Sequence, residues 1–193
     1  MGRPAKFDAD QILDAAAALA ADGGAAAVTV TAIAARLGAP SGSIYHRYGS
    51  RELLLAHLWI RTVRRFQEGF LPASEGDDLA AAVRRAASYT VRWAAEHPAE
   101  ARLLLDQDVD SLRSRWPEDL GAELSRLNVA AMDAMRRLAG LAGHAELDRV
   151  LFALVDIPLA AVRRPLLKGE AIPESATRMV EAAALAVILE NVL

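Results

Sequence analysis

The sequence contains no cysteine among its 193 residues, which excludes disulfide bonds, thiolate metal sites and a cysteine nucleophile. Aromatic residues make up only 5% of the chain, whereas 42 residues are alanine. Because alanine favours helices, and aromatic and β-branched residues favour strands, this composition predicts an all-α protein. No apolar run reaches the roughly 18 residues of a membrane-spanning helix, so no membrane partner is expected. The first ten residues lack the apolar stretch of a signal peptide, and a cytoplasmic protein is expected.

Motifs of common enzyme classes are also missing. The four histidines (His46, His57, His97 and His144) show no H-x-x-x-H spacing, and there is no nucleophile elbow, P-loop or dinucleotide-binding glycine pattern. An acidic run at residues 106–110 lacks the glycine and terminal glutamate of a calcium loop, so we interpret it as a solvated helix end. The sequence therefore predicts no enzymatic activity, no cofactor and no metal site.

The sequence does contain a compact helix-turn-helix pattern. Residues 29–37 have one apolar face, and we expect Thr29 to cap this helix and Gly38 to end it. A second helix starts near Ser41 and ends at Gly49. Two short helices joined by a tight turn form the arrangement whose second helix can enter the DNA major groove. A small core is expected to hold the two helices at their angle, formed by Ile33, Leu37, Ile44 and Tyr48.

The segment G-A-P-S-G-S-I-Y-H-R-Y-G-S-R-E-L-L resembles the DNA-reading segment of the TetR family of bacterial transcriptional repressors. Upstream, I-L-D-A-A-A-A-L-A-A-D-G-G is similar to the family's first helix, so the resemblance covers residues 8–60. It implies an N-terminal three-helix helix-turn-helix domain at residues 1–50, joined by a long fourth helix at 50–70 to a C-terminal helical ligand-binding and dimerisation domain at 71–193. It also implies a homodimeric repressor that binds a palindromic operator in double-stranded DNA and is released by a small-molecule effector.

The candidate DNA-contacting residues surround the start of the second helix. Gly42 would let the backbone approach the duplex, and serine hydroxyls beside it can donate to or accept from base edges. Pro40 stands where the family usually has a small capping residue, and proline suits the first helical turn. By resemblance, Thr31 and Arg51 match positions that contact the DNA backbone or outer bases. The predicted DNA-binding residues are Thr29, Thr31, Ser41, Gly42, Ser43, Tyr45, His46, Arg47 and Arg51.

The charge is unevenly distributed along the chain, which has a net charge of −3. Residues 1–65 contain 8 lysines and arginines against 5 acidic residues, whereas residues 66–193 contain 14 against 20. DNA affinity depends on cationic charge near the phosphates, so the positive N-terminal part favours DNA binding there. Arg3 and Lys6 form a short basic arm that could touch phosphates or the minor groove.

The second half is expected to be helical throughout, after a linker at residues 71–77 that contains proline, glycine and polar residues. Pro158 is expected to kink one of these helices. Apolar stripes on the last two helices could pair across a two-fold axis in a four-helix bundle. Helices are predicted over 78–96, 99–106, 117–141, 145–163 and 174–192. The apolar stripes comprise Val150, Leu151, Leu154, Val155, Leu159, Val162, Met179, Val180, Ala183, Ala184, Val187 and Ile188.

A ligand pocket for a small apolar or amphipathic effector is predicted in the same half. A largely apolar cavity with a few polar groups is typical of small-molecule sites, although large side chains at helical spacing also suit a plain core. Asp156, inside an apolar run, is a candidate polar anchor, and equally a core carboxylate or a dimer contact. The predicted pocket residues are Tyr89, Trp93, His97, Trp116, Met132, Met135, Phe152 and Asp156.

Other interpretations remain open on the sequence alone. The chain could be a helical ligand-binding or interaction protein without DNA binding, in which the helix-turn-helix is only a packing unit. A small helical enzyme would need a catalytic constellation that the sequence does not show. Within the family, an activator or a repressor without an effector is also compatible with the pattern.

Overall fold

The computed structural model describes residues 8–106, 116–143 and 147–189, and all regular elements in these ranges are helical, which confirms the all-α fold. The basic arm, residues 107–110 of the acidic run and His144 lie outside the described residues. Among the described helices, none is both long and apolar enough to span a membrane. The elements are α1 (Ala9–Ala27), α2 (Val30–Leu37), α3 (Ser41–Tyr48), α4 (Arg51–Ser74), α5 (Leu79–Glu96), α6 (Pro98–Asp106), α7 (Glu118–Ala142), α8 (Leu147–Leu151), a π-helical segment (Phe152–Asp156), α9 (Ile157–Lys168) and α10 (Ser175–Leu189).

Side-chain caps fix where the N-terminal helices begin. The Asp8 carboxylate accepts from the Gln11 N–H at 2.8 Å at the start of α1. The Thr29 hydroxyl accepts from the Ala32 N–H at 3.1 Å at the start of α2. Ser50 caps α4 in the same way. Each such cap contributes about 0.5–2 kcal/mol, and the predicted cap at Thr29 is confirmed.

The turn between α2 and α3 differs in one respect from the prediction. Pro40 lies just before α3, with φ −64° and ψ 132°, instead of within its first turn, so α3 has no side-chain cap. The Ser43 hydroxyl donates to the Pro40 carbonyl at 2.6 Å. The proline ring fixes φ near this value and leaves ψ free to be extended. Gly38 and Gly49 have φ of 61° and 70°, the left-handed conformation that favours glycine at helix ends.

Helix α4 contributes to three apolar clusters. The N-terminal cluster joins α1, α2 and α3, and its members include the predicted residues Ile33, Ile44 and Tyr48, with Leu37 packed against them. A second cluster joins α4 to α7, and a third forms the C-terminal core. Side chains of α4 in these clusters include Leu54, Leu55 and Leu58 in the first, Ala56, Trp59 and Ile60 in the second, and Phe70 in the third.

Three arginines on α4 reach three different helices. The pairs are Arg61 with Asp14 of α1 at 2.8 Å, Arg64 with Glu123 of α7, and Arg65 with Glu100 of α6. Partly exposed ion pairs contribute only about 0–1 kcal/mol each. The arginines therefore orient α4 against its neighbours, and apolar burial provides most of the stability.

Helix α4 extends four residues beyond its predicted end, through Pro72 to Ser74. The predicted linker at residues 71–77 is therefore helical in its first part. Pro72 stands in the last turn, where few backbone bonds remain to be broken. Buried Ser74 closes this turn by donating its hydroxyl to the Leu71 carbonyl at 2.7 Å, and Arg137 of α7 donates to the Ser74 carbonyl.

Pro158 produces a π-helical segment immediately before it. The Ile157 N–H bonds the Phe152 carbonyl, five residues back, and Pro158 lies in the first turn of α9. A proline has no N–H for the carbonyl four residues before it, so the wider π turn accommodates the gap. The helix then continues through Pro165 to Lys168, beyond its predicted end at residue 163.

Tyr48 provides a test of the N-terminal core. Its hydroxyl donates to the Ala9 carbonyl at 3.1 Å, its side chain is only 6% exposed, and burial raises its pKa, which keeps the phenol neutral. Tyr48→Phe should lower the free energy of unfolding by about 0.5–1.5 kcal/mol in urea titrations. Tyr45→Phe is the control, because Tyr45 is 53% exposed and should not change stability. Equal effects of the two variants would contradict this account.

Candidate nucleic-acid interface and apolar cavity

Helix α3 exposes a polar face and buries an apolar one. Ile44 and Tyr48 lie in the N-terminal core, whereas the residues between them point away from it. Tyr45 offers the largest exposed ring of this face. Of the predicted DNA-binding residues, those that are exposed are Thr29, Thr31, Ser41, Gly42, Ser43, Tyr45, His46 and Arg47.

Gly42 has open space where a side chain would be. A Cβ added there would meet no heavy atom within 4 Å outside its own helix backbone and chain neighbours, and its backbone is that of an ordinary right-handed helix. The fold therefore does not require glycine at this position. A glycine that packing does not explain, on an exposed helical face, suits close approach by a partner.

Arg51 is tied to the protein itself. Its Nε donates to the Val28 carbonyl and its Nη2 to the Ala25 carbonyl, both at 2.6 Å, and the residue is half-buried. These bonds fasten the connection between α1 and α2 to the start of α4. Thr29 and Ser43 also use their hydroxyls internally, as a helix cap and as a donor to Pro40. DNA contact by these residues stays a prediction.

A cavity of about 470 Å³ lies in the C-terminal part of the chain. Side chains of α4, α5, α6, α7, α8, α9 and the π segment form its wall, which is mostly apolar. Three of the predicted pocket residues, Trp93, Met132 and Met135, line it. The other five do not: Tyr89, His97, Trp116, Phe152 and Asp156.

Tyr89 and His97 pack behind the cavity wall. The Tyr89 ring lies 5.6 Å from the Phe66 ring and covers Gly69, where an added Cβ would overlap it. The His97 ring lies 5.4 Å from the Trp93 ring. These residues therefore support the wall from outside.

Trp116, Phe152 and Asp156 lie further away. Trp116 packs against Trp59 in the cluster between α4 and α7, with ring centroids 6.1 Å apart. Phe152 and Asp156 are exposed on the π segment. Asp156 is therefore not a polar anchor for this cavity.

Two other residues supply unpaired polar atoms to the cavity wall. Gln67 Oε1 and Thr90 Oγ1 are buried and have no hydrogen-bond partner among the described residues. Gln67 is only 7% exposed. Sequence reasoning missed both by taking polar side chains as solvated, although helical spacing gave a signal. The residues three and four positions away are mostly apolar: Val63, Phe70 and Leu71 for Gln67, and Ala86, Ala87, Trp93 and Ala94 for Thr90. Asn128 is a third polar residue in the wall, and none of the described residues that line it is charged.

Comparisons with known proteins agree with this architecture. Residues 12–58 match the family model for bacterial regulatory proteins of the TetR family. The fold is similar to a TetR-like regulator from Rhodococcus sp. RHA1, with 22% identity, a TM-score of 0.68 and coverage of 98% of this chain and 100% of that chain. No curated protein matches the sequence.

Two further solved structures are similar to this chain in fold. FadR from Bacillus subtilis, in complex with stearoyl-CoA, has 15% identity and a TM-score of 0.70, with coverage of 94% of this chain and 98% of that chain. The ketosteroid regulator KstR2 of Mycobacterium tuberculosis has 18% identity and a TM-score of 0.65, with coverage of 95% and 94%. The resemblance to the TetR family is therefore confirmed: residues 12–58 match that family's model, and the described helices share the all-helical fold of solved TetR-like regulators.

Proposed function

We propose that this protein is a homodimeric repressor that dissociates from its operator when a small molecule occupies the C-terminal cavity. In this proposal residues 1–50 read DNA, the helix at 50–70 links them to the rest, and residues 71–193 dimerise and respond to the ligand. The α3 helices of the two protomers enter major grooves about 34–36 Å apart on a palindromic operator. The exposed polar face of α3 supports this docking, as do the uncapped N–H groups at its start, which can donate to phosphate.

An exposed apolar face on the last helices supports a dimer. Met179 is 67% exposed, and Phe152 and Leu159 are also exposed large hydrophobics. Exposed apolar residues continue this face along α10, spaced three or four positions apart: Met179, Ala182, Ala186 and Leu189. Several members of the predicted stripes instead lie in the chain's own core: Val150, Leu154, Val162, Val180, Ala184 and Ile188.

The contacts of helix α6 support the proposed coupling between ligand binding and DNA binding. Its Leu103 is buried in the N-terminal cluster, among residues of the reading domain. Its Ala101, Leu104 and Leu105 line the cavity. A ligand that displaces α6 would therefore move a side chain packed inside the reading domain. Release follows only if ligand and DNA favour different positions of this helix.

The printed names of two structural relatives give further support. One is a FadR structure that holds stearoyl-CoA, and another is named a ketosteroid regulator. Both names point to ligands with a large apolar part, an acyl chain in one and a steroid in the other, and such a part suits the apolar wall of this cavity.

Gly42→Ala separates folding from DNA docking. Alanine should raise the free energy of unfolding by about 0.5–1 kcal/mol, because it suits a helix better and has space here. Affinity for an operator, selected with the unmodified protein from random DNA, should nevertheless fall at least roughly tenfold, since the methyl group would intrude between α3 and the duplex. The control is Gly121→Ala in α7, which also has open space. Unchanged affinity of the Gly42 variant would remove this glycine from the interface.

Met179→Glu tests the dimer. A carboxylate on the proposed apolar interface should convert the dimer to monomers in sedimentation experiments and weaken operator binding, because only one half-site is then contacted. Val129→Glu is the matched control, since Val129 is 56% exposed on α7, outside the proposed interface. A Met179 variant that stays dimeric would contradict this assignment of the interface.

Coupling between ligand binding and operator binding must have the same size in both directions. A compound that binds the cavity should lower operator affinity by some factor, typically about 5–150-fold, and operator DNA should lower affinity for that compound by the same factor. Fluorescence anisotropy of labelled operator and calorimetry of the protein–operator complex measure the two factors. Ligand binding that leaves operator affinity unchanged would refute release by an effector.

A further inference from the structure

We infer that the cavity takes a neutral, predominantly apolar molecule that carries a hydrogen-bond donor, either a hydroxyl group or an amide N–H, and that Gln67 and Thr90 select for this donor. The inference rests on the proposed function of the cavity as the effector site. It adds the chemistry of the ligand, which neither the fold nor the family specifies.

The composition of the wall determines the charge of the ligand. Among the described residues, no lining side chain is ionisable, and most are aliphatic, aromatic or methionine. A charge brought against such a wall would lose its hydration and gain no counter-charge. The volume of about 470 Å³ lies within the range of about 300–1,000 Å³ that holds drug-sized ligands.

The unpaired atoms determine the polar group of the ligand. Gln67 Oε1 can only accept a hydrogen bond, and Thr90 Oγ1 can donate or accept. Buried polar atoms are nearly always paired, so two atoms in a single cavity wall that have no partner among the described residues suit a ligand that supplies one. A ligand hydroxyl that donates to Gln67 can at the same time accept from Thr90, whereas an ether oxygen cannot donate.

Both polar residues lie where α4 crosses α5. Phe66 and Tyr89, the residues immediately before Gln67 and Thr90, have ring centroids 5.6 Å apart. The wall contributed by α6, α8, the π segment and α9 is apolar throughout. The ligand should therefore have its polar group at one end and an apolar body that fills the rest of the cavity.

A second cavity has charged side chains in its wall, which would suit a charged ligand. It adjoins Gln67 and is lined by the charged residues Arg64, Glu68, Glu123 and Arg126. The Arg64 guanidinium already pairs with Glu123. An anionic ligand would have to place its charged group in this second cavity. A probe with a carboxylate group tests for that alternative.

Three matched probes test the inference: decan-1-ol, its methyl ether and decanoate. They are titrated into the full-length protein without DNA, with calorimetry and the fluorescence of Trp93, which lines the cavity. The alcohol should bind at least roughly tenfold more tightly than either the ether or decanoate, because only the alcohol satisfies Gln67 without introducing charge. Equal affinities, tighter binding of decanoate, or no binding of the alcohol would overturn the inference.

Variants assign the preference to the two side chains. Thr90→Val and Gln67→Met keep the shape and remove the polar atom, so each should reduce the preference for the alcohol over the ether at least roughly threefold. Thr90→Ser retains the hydroxyl and should retain the preference. Each apolar variant should also leave the melting temperature of the ligand-free protein unchanged or higher, since it removes an unpaired buried atom. A fall in melting temperature with an unchanged preference would show a structural role instead.

The outcome is independent of release from DNA. If the alcohol binds with the expected preference and operator affinity stays unchanged, the ligand class stands and the proposed release fails. If operator binding is normal and the alcohol does not bind, the ligand class fails and the DNA-binding function stands.

Discussion

The continuous burial of α4 is the constraint on which the other features depend. The helix has 24 residues, about 36 Å at 1.5 Å per residue, and contributes side chains to all three apolar clusters. Packed interiors change arrangement in discrete steps and resist gradual deformation. A shift of α4 at the cavity would therefore repack the core that supports α3. Helix α6 makes the same connection through Leu103, so the reading domain is held by two helices that also line the cavity.

The local features of the fold were predictable because neighbouring residues determine them. Caps at Asp8, Thr29 and Ser50 each involve an N–H three residues away, and glycines at helix ends follow from backbone sterics. These short-range rules gave the bounds of α2 and α3 to within one residue. They also gave the polar face of α3, since Ile44 and Tyr48 fix which side is buried.

The cavity was only partly predictable, because its wall depends on how helices rotate against one another. Trp93, Met132 and Met135 line it, but Phe152 and Asp156, the first and last residues of the π segment, are exposed outside it. Gln67 and Thr90 have mostly apolar residues three and four positions away, which indicates a buried face, but only the packing of α4 against α5 shows that both line one cavity. The Arg51 bonds to carbonyls 23 and 26 residues earlier are equally non-local.

None of the residues seen to line the cavity in the described part of the chain is charged, so the two proposed binding equilibria respond to different physical variables. Binding to phosphates releases counterions, so operator affinity falls steeply as ionic strength rises. Transfer of a neutral ligand into an apolar wall has almost no electrolyte dependence, and its hallmark is a negative change in heat capacity. A rise in salt concentration would therefore weaken the proposed DNA complex while leaving the affinity of the DNA-free protein for the proposed effector almost unchanged.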